Sequence, residues 1–157
     1  MRIARELGQR VLVGKVNMDR NSKDYYVETT AQSIADTEAF VKHVRGLGDA
    51  LATPVVTPRF APTCTPELMR ALARISDRDA LPVQTHMSEN RGEIAWVAEL
   101  HPECESYADV YKQHGLLHDR TYLAHCVHCT GGPYRERYRR ALQNIERCSC
   151  MSQLQAT

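Results

Sequence analysis

The sequence contains no run of eighteen apolar residues, so nothing in it reads as a membrane-spanning helix. It also lacks an excess of charge of either sign. Twenty Lys and Arg face nineteen Asp and Glu, a formal net charge of +1, and no nucleic-acid or membrane partner is expected. The opening stretch, "MRIARELGQR", has charges but no apolar centre, and is not expected to act as a secretory leader. No internal repeat and no low-complexity linker stands out. With six cysteines and no such leader, reduced thiols or metal ligands are expected rather than disulfides, and the simplest location is the cytosol. What is present is a 157-residue chain that is 43% hydrophobic, enough for one domain with a real core and too apolar for a disordered protein.

Along the chain, strands and helices alternate. Arg10 to Val16 is short and β-branched and reads as a strand, followed by a long polar loop, "NMDRNSKDYYVETT". Ser33 to Leu47 has a helical pattern, with Ile34, Val41, Val44 and Leu47 on one face. A second strand is expected over Thr53 to Phe60, with Val55, Thr57 and Arg59 alternating against Val56 and the prolines, and ending at Pro58 or Arg59. Thr65 then offers an N-cap before Pro66, and Leu68, Ala71, Leu72 and Ile75 form the clearest amphipathic stripe. Ala80 to His86 reads as a third strand. Asn90 to Leu100 is a helix with Asn90 and Glu93 in capping-box positions and Ile94, Val97 and Ala98 as its apolar face. Tyr107 to His114 is a weaker helix, and Arg120 to His125 a fourth strand. This order predicts an α/β fold with a parallel sheet. From Thr130 onward five arginines face two glutamates and no strand can be read; residues 130–157 are expected to be an irregular, poorly structured tail after a first unit at 1–129.

Three of these strands end in unusual chemistry: "PRF" at 58–60, "HMSE" at 86–89 and "AHCVH" at 124–128. In parallel α/β folds function gathers at the C-terminal ends of strands. If Val83 and Thr85 face one side of their strand, Gln84 and His86 face the other. A lone strand-end histidine is most often satisfied by a backbone carbonyl, and a lone glutamate before a helix is most often solvated. His86 can equally be a zinc or iron ligand, with Glu89 as an acid/base residue beside a metal-bound water. His125 ends the next strand in the same way, and the pairing weakens the case for two unrelated structural histidines. Arg59 reads either as a surface ion pair or as a fork of donors for a planar ligand, with Phe60 beside it to stack. A rival constellation is Cys126, Cys129, Cys148 and Cys150, which could form a structural zinc site. Its second half is C-x-C rather than C-x₂-C. The arginine-rich tail has no recognisable nucleic-acid motif.

Taken together, "GKVNMD" (14–19), "ETTAQSIADTEAFV" (28–41), "VTPRF" (56–60), "QTHMSENRGEI" (84–94) and "YLAHCVH" (122–128) resemble the guanine deaminases, a family of metal-dependent amidohydrolases. The resemblance runs in order over about residues 8 to 129, and "TPRF" and "HMSEN" at this spacing are specific to that family. It implies a partial TIM-like (β/α) barrel in which these four strands are about the third to the sixth of eight. It implies His86 as a metal ligand that also lines the substrate site, and Glu89 as the proton shuttle in contact with substrate. His125 would orient the attacking water, and Arg59 and Phe60 would hold the guanine. The implied cofactor is one Zn²⁺, with iron as the alternative; the implied reaction is hydrolysis of guanine to xanthine and ammonia; the implied assembly of a complete member is a homodimer.

The resemblance also calls for a His-x-His pair on the first strand and an aspartate on the eighth. No His-x-His occurs in the 157 residues, and one ligand falls short of the three that zinc sites normally take from the protein. The isolated chain is therefore expected to have little or no activity. Where the family continues towards "CPNS", this sequence has "MSQLQ" at 151–155, and codons exist for which a one-base shift converts one into the other. The expectation is that residues after about Thr130 are read out of frame, which sequencing the transcript decides. Two other readings remain: a non-catalytic zinc-stabilised module built on the cysteines, and an inactive half-barrel that serves as an interaction protein.

Overall fold

The computed structural model describes residues 2–129. The arginine-rich tail, with Cys148 and Cys150, lies outside the described residues. After a short helix, α1 (Arg2–Glu6), the first strand comes in two pieces, β1 (Val11–Val13) and β2 (Val16–Asn17). Helix α2 (Thr30–Gly46) leads to a second divided strand, β3 (Ala52–Pro54) and β4 (Thr57–Pro58). Helix α3 (Pro66–Arg78) leads to β5 (Val83–Met87), and α4 (Arg91–Leu100) and α5 (Tyr107–Gln113) lead to β6 (Thr121–His125).

All pairings are parallel. β1 pairs with β3, β2 with β4, and β5 with β6. A bridge between Val56 and Val83 joins the second strand to β5: Val56 N–H donates to Pro82 O at 2.9 Å, and Gln84 N–H to Val56 O at 2.9 Å. The spatial order therefore follows the sequence order, as parallel strands joined by helical crossovers require. Among the described residues the strands do not close into a barrel.

Both early strands were expected to be continuous, and both are broken. At Gly14 the chain passes so close to the second strand that a Cβ would strike Thr57 Oγ1 and lie 2.6 Å from Val55 O. Val55 and Val56, expected on opposite faces, are both buried, because the strand kinks between β3 and β4. β5 keeps the expected alternation, with Val83, Thr85 and Met87 buried and Gln84 and His86 on the more open side.

The helices start where their caps dictate. Thr65 Oγ1 accepts from Leu68 N–H at 3.2 Å, and Asn90 Oδ1 from Glu93 N–H at 2.8 Å. α3 buries Leu68, Ala71, Leu72 and Ile75 as expected. Two helix faces differ from expectation. In α2 the buried positions are Ser33, Thr37, Val41 and Val44, with Ile34 and Leu47 only half-buried. In α4 they are Glu93 and Val97, while Ala98 is exposed. The α2 difference has a polar cause. Buried Asn17, at the end of β2, joins the Ser33 hydroxyl at 2.9 Å and the Thr37 hydroxyl at 2.7 Å, so polar residues are satisfied where apolar ones were expected.

Candidate functional site at the strand ends

The C-terminal ends of the second strand, β5 and β6 lie side by side, and Arg59, His86 and His125 come with them. His86 is held at several points. Its Nδ1 lies 2.7 Å from Arg59 O, and its backbone N–H reaches the same oxygen at 3.3 Å. A carbonyl only accepts, so Nδ1 is the nitrogen that bears a proton, and in the neutral imidazole this tautomer leaves the lone pair on Nε2. The His86 carbonyl accepts from the Tyr111 hydroxyl at 2.7 Å. That hydroxyl is fully buried and also accepts from Ala61 N–H at 3.0 Å and from Thr85 Oγ1 at 3.1 Å. Burial raises the Tyr111 pKa, which keeps the phenol a donor at any ordinary pH.

His125 stacks on His86, with ring centroids 5.2 Å apart and planes 27° apart. Its Nε2 lies 3.6 Å from Glu89 Oε2. The backbone turns sharply to allow this. Ser88 (φ 54°), His125 (φ 72°) and Cys126 (φ 53°) are all left-handed, a conformation that costs non-glycine residues on the order of 1–3 kcal/mol each and gathers at functional sites. Ser88 is what swings Glu89 back from the end of β5 toward His125.

Arg59 is exposed and, among the described residues, makes no ion pair; the surface salt bridge considered for it is not what holds it. Its guanidinium lies 5.3 Å from the centre of the Phe60 ring, and Nη1 donates to Met18 Sδ at 3.3 Å. Trp96, from α4, meets Phe60 edge-on at 6.4 Å. The sequence signal for Trp96 was only that it is the sole tryptophan; that it reaches this wall depends on α4 crossing over the segment after β4.

His86 Nε2 is therefore a free, oriented donor beside a second imidazole and a carboxylate, which fits one ligand of a divalent metal with an acid/base residue near it. It does not amount to a three-ligand set. Among the described residues, the three donors that do converge are His101, Glu103 and Cys104, past the end of α4. No sequence motif marks them. His101 Nδ1 lies 3.3 Å from Glu103 Oε1, and Arg20 Nη2 donates to Nε2 at 3.2 Å. Metal on Nδ1 would place the ring proton on Nε2, facing the arginine donor to donor, so this group is satisfied as a structural one. Of the rival cysteine set, Cys126 and Cys129 are adjacent and free, and their partners lie outside the described residues.

A profile described as "Amidohydrolase family" matches residues 1–154. A guanine deaminase of Dictyostelium discoideum is 53% identical over 126 residues, covering 80% of this chain and 28% of the relative. The guanine deaminase of Escherichia coli (strain K12) is 40% identical over 128 residues, covering 80% of this chain and 28% of the relative. The chain thus spans well under half the length of these relatives. The crystal structure of a guanine deaminase from C. acetobutylicum with guanine bound in its active site superposes with a TM-score of 0.82 at 38% identity, covering 89% of this chain and 33% of that one. A zinc-bound adenosine deaminase from Xanthomonas campestris shares the fold at a TM-score of 0.72. The chain belongs to the amidohydrolase family.

Proposed function

We propose that this chain carries one wall of a guanine-deaminating site, with its strands as about the third to the sixth of a TIM-type barrel. The observation that supports this most directly is the meeting of His86, with Nε2 free, Glu89 and His125 at adjacent parallel strand ends. Arg59 and Phe60 stand on the strand beside them.

Amidohydrolases generally use a divalent metal. In this reading it is zinc, and iron is the alternative. When bound it supplies a water acidified to a pKa of roughly 7. His86 would hold it through Nε2. Glu89 takes the proton of the attacking water and passes it to the purine ring as the oxygen adds to C2. His125 hydrogen-bonds that oxygen and keeps it in line. A further proton makes the amino group leave as ammonia, and xanthine remains. Arg59 offers donors to O6 and N7 of guanine, where adenine would present a donor at its 6-position. Phe60, backed by Trp96, supplies a face for the ring. Guanine is the proposed partner, a homodimer the proposed assembly of a complete member, and the cytosol its proposed place.

The reading is tested by xanthine formation from guanine, measured on the 157 residues and on a version extended at both ends to carry a His-x-His pair and an aspartate. Activity is expected only in the extended protein, and robust turnover by the 157 residues alone would overturn the division of the site. Zinc analysis of the extended protein separates this reading from the cysteine module: His86→Ala is expected to lose the metal and Cys148→Ser to keep it. The reverse pattern would favour the module.

A further inference from the structure

The turn after β6 carries chemistry that the deaminase reading does not use. Cys126 and Cys129 are joined by a backbone bond from Cys129 N–H to Cys126 O at 3.3 Å. A turn of this kind keeps its end Cα atoms within about 7 Å, which is the upper limit of the separation a disulfide spans. Neither thiol is bonded to another cysteine, and Cys126 Sγ lies 3.9 Å from Leu123 O and 4.0 Å from Ala124 O. Cys129 is exposed and Cys126 half-buried, so an attacking and a resolving position are distinguished by access alone.

The turn is also held from outside. His128 N–H donates to Ser88 O at 3.1 Å, and Cys126 N–H to Met87 O at 2.9 Å. The neighbouring Cys126 thiol, opposed by burial and aided by the Ser88 side chain, lowers the Cys129 pKa, and the same pairing together with burial raises that of Cys126. The other described cysteines contrast with this: burial pushes Cys64 up to about 12, and burial with Glu103 also raises Cys104. A depressed, accessible thiol beside a second thiol is the arrangement that thiol–disulfide exchange needs.

We propose that Cys126 and Cys129 form a thiol–disulfide exchange site that takes low-molecular-weight disulfides of the glutathione class and closes to an intramolecular disulfide. The Cys129 thiolate attacks one sulfur of the small disulfide, forming a mixed disulfide and expelling one thiolate. Cys126, its proton lost to solvent, attacks the Cys129 sulfur and expels the second thiolate. Two protein thiols are oxidised and one small disulfide is reduced to two thiols, so electrons balance. The turn directly follows His125 and is bonded to the backbone of Met87 and Ser88, between His86 and Glu89, and its chemistry does not depend on what that cluster does.

The experiment uses the full chain with Cys148→Ser and Cys150→Ser, equilibrated with defined ratios of oxidised to reduced glutathione, alkylated and digested with trypsin. The peptide Thr121–Arg135 holds both remaining cysteines of interest. It is expected two hydrogens lighter and unalkylated, with a closure equilibrium at least tenfold more favourable than that of the same synthetic peptide. Adding Cys126→Ser should leave a glutathione adduct on Cys129. Cys129→Ser should slow adduct formation on this peptide at least tenfold. Full alkylation of both cysteines in the folded chain, closure no better than in the free peptide, or isolation of the pair with stoichiometric zinc that blocks exchange would each overturn the proposal.

Discussion

At the level of single residues, the site depends on a group that never reaches it. The Tyr111 hydroxyl ties the His86 carbonyl to the Ala61 N–H, and so holds the end of β5 to the segment that carries Arg59 and Phe60. Tyr111→Phe would leave a buried N–H and a buried carbonyl with poorer partners. A loss of about 1–3 kcal/mol is expected in urea unfolding, together with weaker binding of guanine in a complete protein. A variant as stable as the parent would show that the hydroxyl is dispensable. The position of His86 on the open side of β5 was legible in the sequence, because period-two alternation puts it there. What fixes the tautomer of His86 was not legible, since its acceptor is the backbone of a residue 27 positions earlier. Nor was the left-handed turn at Ser88, because serine carries no local signal for positive φ.

At the level of elements, caps could be read and contacts between elements could not. Thr65 and Asn90 cap as their local sequence dictates, because an N-cap is satisfied within four residues. Thr65 has a second role that no local pattern shows. The Asp19 carboxylate accepts from Thr65 N–H at 2.7 Å, from the Thr65 hydroxyl at 2.6 Å and from the Thr30 hydroxyl at 2.8 Å. One loop carboxylate thus binds the first turns of α2 and α3 together. Asp19→Ala is expected to cost about 3 kcal/mol, since hydrogen bonds to a charged group are each worth about 1.5–3 kcal/mol and partly compensate when lost. The Thr65→Val variant made alongside should lose less, because it leaves the Thr30 bond in place. The break between β1 and β2 was equally hidden, because it comes from the approach of the second strand rather than from Gly14's neighbours in sequence. Gly14→Ala is expected to destabilise the chain by about 1–3 kcal/mol, and Gly46→Ala, where an added Cβ meets nothing within 4 Å, by far less. Equal urea midpoints for the two variants would contradict the close approach.

For the molecule as a whole, the parallel order of the strands followed from their alternation with helices, while the stability of the assembly rests on buried groups whose protonation the sequence does not reveal. His114 is 5% exposed, its Nδ1–H donates to Val110 O at 2.7 Å, and its Nε2 is buried without a hydrogen-bond partner. Burial lowers its pKa below the ordinary 6.5, with the Arg70 and His101 charges acting in the same direction and Val110 and Glu103 opposing. His118 is lowered too, by burial first and Arg120 second. Both are neutral in the folded chain at pH values where the unfolded chain has begun to bind protons. Above about pH 7.5 neither state is protonated and these groups make no difference to stability. As pH falls below 6.5 the unfolded state gains protons that the folded state refuses, and stability declines until the folded histidines titrate in turn. The slope is at most about 1.4 kcal/mol per pH unit for each group. Carboxylates act in the same direction but lower down. Asp79, held below its ordinary 3.8 by Arg78, and Glu103, held below 4.5 by its own backbone N–H and then His101, lose their contribution only as pH falls from those values. Two separate declines are therefore expected in the urea midpoint, one beginning near pH 6.5 and one below about pH 4.5. His114→Gln keeps a donor for Val110 O and removes a titrating group, so it should flatten the first decline and leave the second. A first decline unchanged in both His114→Gln and His118→Gln would mean that other groups carry it.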